Sequence, residues 1–183
     1  MTNTLPFMAA LLVDALDDFA RSIKGLTSNE TEKRFSGFSA NRWTVAHIAQ
    51  HVDSWVIGTM AGKPRDPYLS EDAFSKGGPG EAAKWDTVLV VFSRASATSK
   101  AYLNSVKESK LNEKSVYQGS IQGLKGKSLS GNYRLARLIA HIYYNIGEIT
   151  TIRSAMGHRV DDFPGWLPLT LLQKRGRYEI RFQ

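Results

Sequence analysis

A chain of 183 residues with 42% hydrophobic content is the size of one compact domain and short for two. It contains no cysteine, which excludes disulfides, Cys-ligated zinc and a thiol nucleophile, and which fits a reducing cytoplasm as the expected location. The formal charge of +7 raises nucleic acid as a partner. Lys and Arg are mostly interspersed with acids, however, and no nucleic-acid motif is present, so none is expected to bind.

Leu5, Met8, Leu12, Leu16, Phe19, Ile23 and Leu26 recur at three- and four-residue steps, with Asp14, Asp17, Asp18 and Arg21 between them. This pattern predicts an amphipathic first helix. Thr4 is its expected N-cap, and Pro6 falls in its first turn. The apolar stretch from Leu5 to Val13 lacks a basic leader and runs into acidic residues, so it reads as a helix face and not as a secretion signal. No apolar run approaches the ~20 residues needed to span a bilayer.

A second helix is expected over 41–61, with Ile48, Val52, Trp55 and Val56 inward and Gly62 and Pro64 as its stop. After the breaker run Gly77-Gly78-Pro79-Gly80, a third helix carries Trp85, Val88, Leu89, Phe92, Ala95, Ser99, Tyr102, Leu103 and Val106. The fourth runs from about Asn132 through Leu135, Leu138, Ile142, Asn145, Ile149, Ile152 and Met156, and Gly157 closes it. The connections over 62–80 and 108–131 are long for adjacent helices and allow a crossover bundle. Trp166, Leu167, Leu169, Leu171 and Leu172 make the tail too apolar for a solvated linker. The expected fold class is therefore all-α: a four-helix bundle over 1–160, with long connections, and a C-terminal extension over 161–183 that packs on the bundle or on a partner.

The chemistry-bearing residues lie on the second and fourth helices. His47 and His51 are four apart, so both project toward one region, and His141 and Asn145 repeat that spacing. Neutral imidazole is a good ligand for divalent ions. The same residues could equally satisfy one another's hydrogen bonds in a polar core cluster, because an unsatisfied buried amide such as Asn145 costs on the order of 1–3 kcal/mol. Glu148 lies about one turn from Asn145 and two from His141, and is a weak candidate for a ligand-orienting group or catalytic base. His158 follows the predicted end of the last helix and is assigned to its terminal carbonyls and dipole. Trp43, Trp55, Tyr143 and Tyr144 are read chiefly as packing, with phenol and indole groups needing partners if buried.

Two of these segments resemble the signature helices of the DinB/YfiT-like superfamily. Trp43-Thr44 through His51 is similar to its first helix, and His141 through Gly147-Glu148-Ile149 is similar to its last, with Arg153 and Gly157 suiting the way that helix closes. The likeness spans most of 5–157. It implies a four-helix bundle, often dimeric, around a divalent metal, zinc or nickel. It also implies small-molecule chemistry in which a low-molecular-weight thiol can take part, as in transferases, isomerases or hydrolases. Residue by residue, His51 and His141 take two ligand positions. Asn145 stands where the family's His-x-x-x-His has its second histidine, and an amide oxygen is a weaker donor toward zinc than imidazole. Either His47 or Asn145 then completes the shell, or the site is metal-free. The resemblance thus leaves two functions open: a divalent-metal-dependent enzyme, or a non-catalytic small-ligand-binding or stress-related interaction protein that has lost the metal.

Overall fold

The computed structural model describes residues 5–35, 37–70, 72–75, 78 and 84–165. In chain order its helices are α1 (Phe7–Ser22), α2 (Ser28–Glu32), α3 (Asn41–Val52), α4 (Trp85–Ser105), α5 (Glu108–Asn112) and α6 (Gly131–Ala155). The four long ones form a bundle whose core includes Leu12, Leu16, Phe19, Ile48, Leu103, Leu135, Ile142 and Ile149, all fully buried. Helix α1 faces α4 and α6, and α3 faces the same two. Among the described residues α1 is therefore diagonal to α3, although α3 is the next long helix in the chain. A simple up-and-down ring would make those two neighbours, so the connections must cross the bundle, as their lengths predict.

Helix α3 does not stop at Val52. It runs on as a π-helical segment, Asp53–Met60, with wide-turn hydrogen bonds from Ala61 N to Val56 O (2.8 Å) and from the Thr59 hydroxyl to Ser54 O (2.9 Å). Gly62 closes it in the left-handed region at φ 64°, as the sequence predicts. The first turn of α1 begins at Pro6, which occupies the N-cap position, and Thr4 lies outside the described residues.

Both long connections carry structure that periodicity could not reveal. In the first, two 3₁₀ turns, Tyr68–Ser70 and Asp72–Phe74, drop Leu69 and Phe74 into the bundle core. Buried Asp53 holds this connection by accepting hydrogen bonds from Arg65 Nε and Asp66 N, each at 3.2 Å, and Asp66 pairs in turn with Arg94 on α4. In the second, α5 is followed by a hairpin in which β1 (Lys114–Val116) pairs antiparallel with β2 (Ser128–Ser130), Ser115 opposite Leu129. The hairpin covers a small second core of Trp55, Tyr117, Leu124 and Leu129. Trp55 thus packs under the hairpin and not in the main bundle stripe.

Of the expected C-terminal extension, residues 161–165 are described, and 166–183 lie outside the described residues. The described part rests on α1. Arg21 donates to Asp162 O (2.8 Å), its guanidinium lies 4.3 Å from the Phe163 ring centroid, and Gly165 N donates to buried Asp18 (2.9 Å). Among the described residues no helix is long and apolar enough to cross a membrane.

Candidate metal centre

The α-helical turn brings His47 and His51 to one side of α3, and packing of α3 against α6 sets His141 opposite them. The ring centroids are 4.5 Å apart for His47 and His51, 4.7 Å for His51 and His141, and 5.2 Å for His47 and His141. One nitrogen from each ring can be chosen so that all three lie within 4.8 Å of one another. His47 is buried, whereas the other two are half-buried, so the cluster sits at the edge of the core.

His47 is the most constrained of the three. Its Nδ1 is 2.6 Å from the carbonyl oxygen of Phe74, and since a carbonyl only accepts, Nδ1 carries the proton and Nε2 keeps its lone pair. Trp43 stacks on the ring at 4.7 Å and 11° and is itself anchored by a bond from Nε1 to Ala73 O (2.9 Å). The 72–74 turn therefore positions both side chains through two consecutive carbonyls, which is one physical reason for the length of the 62–80 connection. His47 Nε2 lies 3.1 Å from His141 Nε2, so without a metal His141 donates to it.

Burial disfavours the charged imidazoles and pushes the histidine pKa values down. His51 falls to about 3, through desolvation first and then the neighbouring His47, His141, Arg137 and Arg65. His141 falls to about 4 for the same leading reason, with His47 and Arg137 adding to it. For His47 desolvation also lowers the pKa, and the Phe74 carbonyl opposes it. All three rings are thus neutral near pH 7, which is the form that binds a metal.

The remaining candidate residues have other partners. Asn145 is buried one turn beyond His141 on α6, and its amide nitrogen donates to the His141 carbonyl at 2.7 Å. Glu148 accepts from Ser39 N at 3.1 Å and so ties the loop before α3 to α6. His158 does not cap α6 by its side chain as expected. Its Nε2 contacts Glu30 Oε1 at 2.7 Å, because the chain turns at Gly157 and carries the ring to α2. Tyr143 donates to buried Asp18 at 2.9 Å, whereas Tyr144 is 72% exposed and so is no packing residue. Sequence reasoning missed Asp18 as a polar anchor. Its place beside Asp14 and Asp17 made it look like part of a solvated face.

The likeness to known proteins decides the fold at this point. The model superposes on YfiT from Bacillus subtilis with a TM-score of 0.60, covering 83% of this chain and 87% of that one at 16% identity. The fold is that of YfiT. That protein is described as a probable metal-dependent hydrolase with an unusual four-helix bundle topology. Compared by sequence, the chain matches no protein-family model and no curated protein.

Two imidazole nitrogens bound at ~2.0–2.1 Å to a tetrahedral ion stand roughly 3.3 Å apart. The observed 3.1 Å between His47 Nε2 and His141 Nε2 is close to this, and a His51 nitrogen stands within 4.8 Å of both. Three neutral nitrogen donors, one with its second nitrogen already bonded to a carbonyl, fit a divalent ion such as zinc or nickel.

Proposed function

We propose that this protein is a divalent-metal-dependent enzyme acting on a small molecule, with His47, His51 and His141 holding the ion and His47 replacing the ligand that Asn145 does not supply. The observation that carries this reading is the approach of three imidazoles from two helices to within 4.8 Å. When bound, such an ion would supply Lewis acidity and lower the pKa of a water or thiol beside it.

The chain's own residues do the positioning. The Phe74 carbonyl selects the His47 tautomer, Trp43 fixes the plane of that ring, and the half-buried sides of His51 and His141 leave a route from solvent. Asn145, through its bond to the His141 carbonyl, braces the helix turn below the ligand; Glu148 braces the approach of α3 to α6. We favour hydrolysis, the activity ascribed to YfiT, over thiol-dependent transfer or isomerisation. A homodimer and a cytoplasmic setting complete this proposal; a low-molecular-weight thiol belongs to the transfer or isomerisation alternative.

A second reading has its own observation. The 3.1 Å contact between His47 and His141 pairs the two rings without an ion, as a non-catalytic small-ligand-binding protein or stress-related interaction protein would need. Elemental analysis of protein purified without a metal-affinity tag separates the two. Near one equivalent of zinc or nickel, lost in His51→Ala, supports the enzyme. Absence of metal together with no binding of zinc or nickel by calorimetry supports the second reading.

A further inference from the structure

Arg134 on α6 is 3% exposed, and no carboxylate among the described residues pairs with it. Its Nη2 donates to the carbonyl and hydroxyl of Ser115 in β1, at 3.0 and 2.9 Å, and the guanidinium carbon lies 5.9 Å from both the Trp55 and Tyr117 rings. These partners are neutral. A buried cation with neutral partners alone carries a desolvation cost that a counter-ion would offset.

Arg134 also lines a cavity of about 130 Å³ beneath the hairpin, together with Lys110, Glu113, Lys114, Thr59 and Gly131. Glu113 is engaged by Lys110 at 2.6 Å, which leaves Arg134 and Lys114 as the cations it does not balance. Gly131 is the first residue of α6, so this 25-residue helix adds the positive end of its dipole to the same wall. A side chain at that position would be crowded: a Cβ on Gly131 would stand 3.0 Å from the Leu111 backbone. The wall thus combines a buried guanidinium, a lysine and a helix N-terminus.

The geometry points to a binding site for a small oxyanion, the phosphate or carboxylate group of a small molecule, held by Arg134 and Lys114 at the start of α6. The site is separate from the imidazole cluster. Arg134 precedes His141 by two turns of α6, about 10 Å of helix rise, and the anion site stands or falls whether or not the histidines bind a metal. A guanidinium suits this role because it offers several fixed donors to a carboxylate or phosphate while its face stays over the aromatic rings.

Titration calorimetry on the full chain at constant ionic strength tests the site, with inorganic phosphate and acetate as probes and chloride as control. Saturable one-to-one binding of phosphate or acetate, but not chloride, is expected, and the stronger of the two names the class. Arg134→Met, which keeps an apolar stem against Trp55 and Tyr117, should weaken binding tenfold or more. Should that variant fail to fold, Lys114→Ala serves instead, since Lys114 is exposed; a severalfold loss with an unchanged circular dichroism spectrum is expected. Equal weak responses to all three anions, or phosphate and acetate affinities unchanged in the folded variants, would overturn the proposal.

Discussion

His47 has one nitrogen committed to the Phe74 carbonyl and one face committed to Trp43, so the ring is held in place before any ligand arrives. Preorganisation of this kind makes a ligand costly to remove, because the other two cannot reproduce a fixed third donor. His47→Ala is expected to lower zinc or nickel affinity by about 100-fold or more, the upper range for removal of groups around a metal site. Asn145→Ala should behave differently. Its amide nitrogen is bonded to the His141 carbonyl, so the variant should stay within about threefold in metal affinity while losing roughly 1 kcal/mol of stability with that hydrogen bond. Parallel calorimetric and urea titrations read both quantities. A large affinity loss in Asn145→Ala with none in His47→Ala would return the third ligand position to Asn145. The sequence could place His47 on the right face by its four-residue spacing from His51, but it could not choose between His47 and Asn145. That choice depends on the 72–74 turn, a contact 27 residues away in the chain that no local pattern encodes.

Among the elements, α2 shows how a short helix becomes a clamp. Thr27 accepts from Glu30 N, while Glu30 accepts from Thr27 N and its hydroxyl, each at 2.8 Å, forming a capping box, and His158 just past α6 meets the same carboxylate. The Thr27 backbone and hydroxyl bonds and then the His158 contact hold the Glu30 pKa down at about 2, against the ordinary value of 4.5. A depressed carboxyl pKa means that the unfolded chain binds the proton more readily. The stabilisation is therefore fully present above pH 4.5 and is lost as the pH falls toward 2. Glu30→Gln should melt a few degrees lower at pH 7 and show a flatter decline of melting temperature between pH 4.5 and 2 than the native chain. Parallel curves for the two proteins would mean that the clamp does not contribute. The long helices were legible because their stripes repeat over four or more turns. The capping box, the three-residue strands and the π-helical segment were not singled out, since elements of three to eight residues offer too few periods, and the π turn is fixed by contacts such as Thr59 to Ser54.

At the scale of the molecule, Asp18 links three parts of the chain that are distant in sequence. This fully buried carboxylate accepts from Arg21 on its own helix (3.0 Å), from Tyr143 on α6 (2.9 Å) and from Gly165 N in the C-terminal extension (2.9 Å). Burial, and then the bond to Asp18, pushes the Tyr143 phenol well above its ordinary pKa, so it remains a donor throughout the accessible pH range. Removing the carboxylate leaves the phenol and the Gly165 amide without their acceptor and takes from Arg21 one of its partners, the Asp162 carbonyl remaining. Asp18→Ala should therefore cost about 3–5 kcal/mol, and Tyr143→Phe only about 1–2, because it removes one neutral donor and leaves the ion pair in place. The contribution of the extension follows from comparing a chain ending at residue 165 with one ending at 160. The first keeps the Gly165 bond to Asp18, the Arg21 bond to the Asp162 carbonyl and the guanidinium over Phe163; the second loses all three. The chain ending at 160 should melt about 3–8 °C lower, on the order of 1–2 kcal/mol for a domain of this size. If the two truncated chains melt together, the 161–165 segment adds no stability, and Asp18 acts through Arg21 and Tyr143 alone.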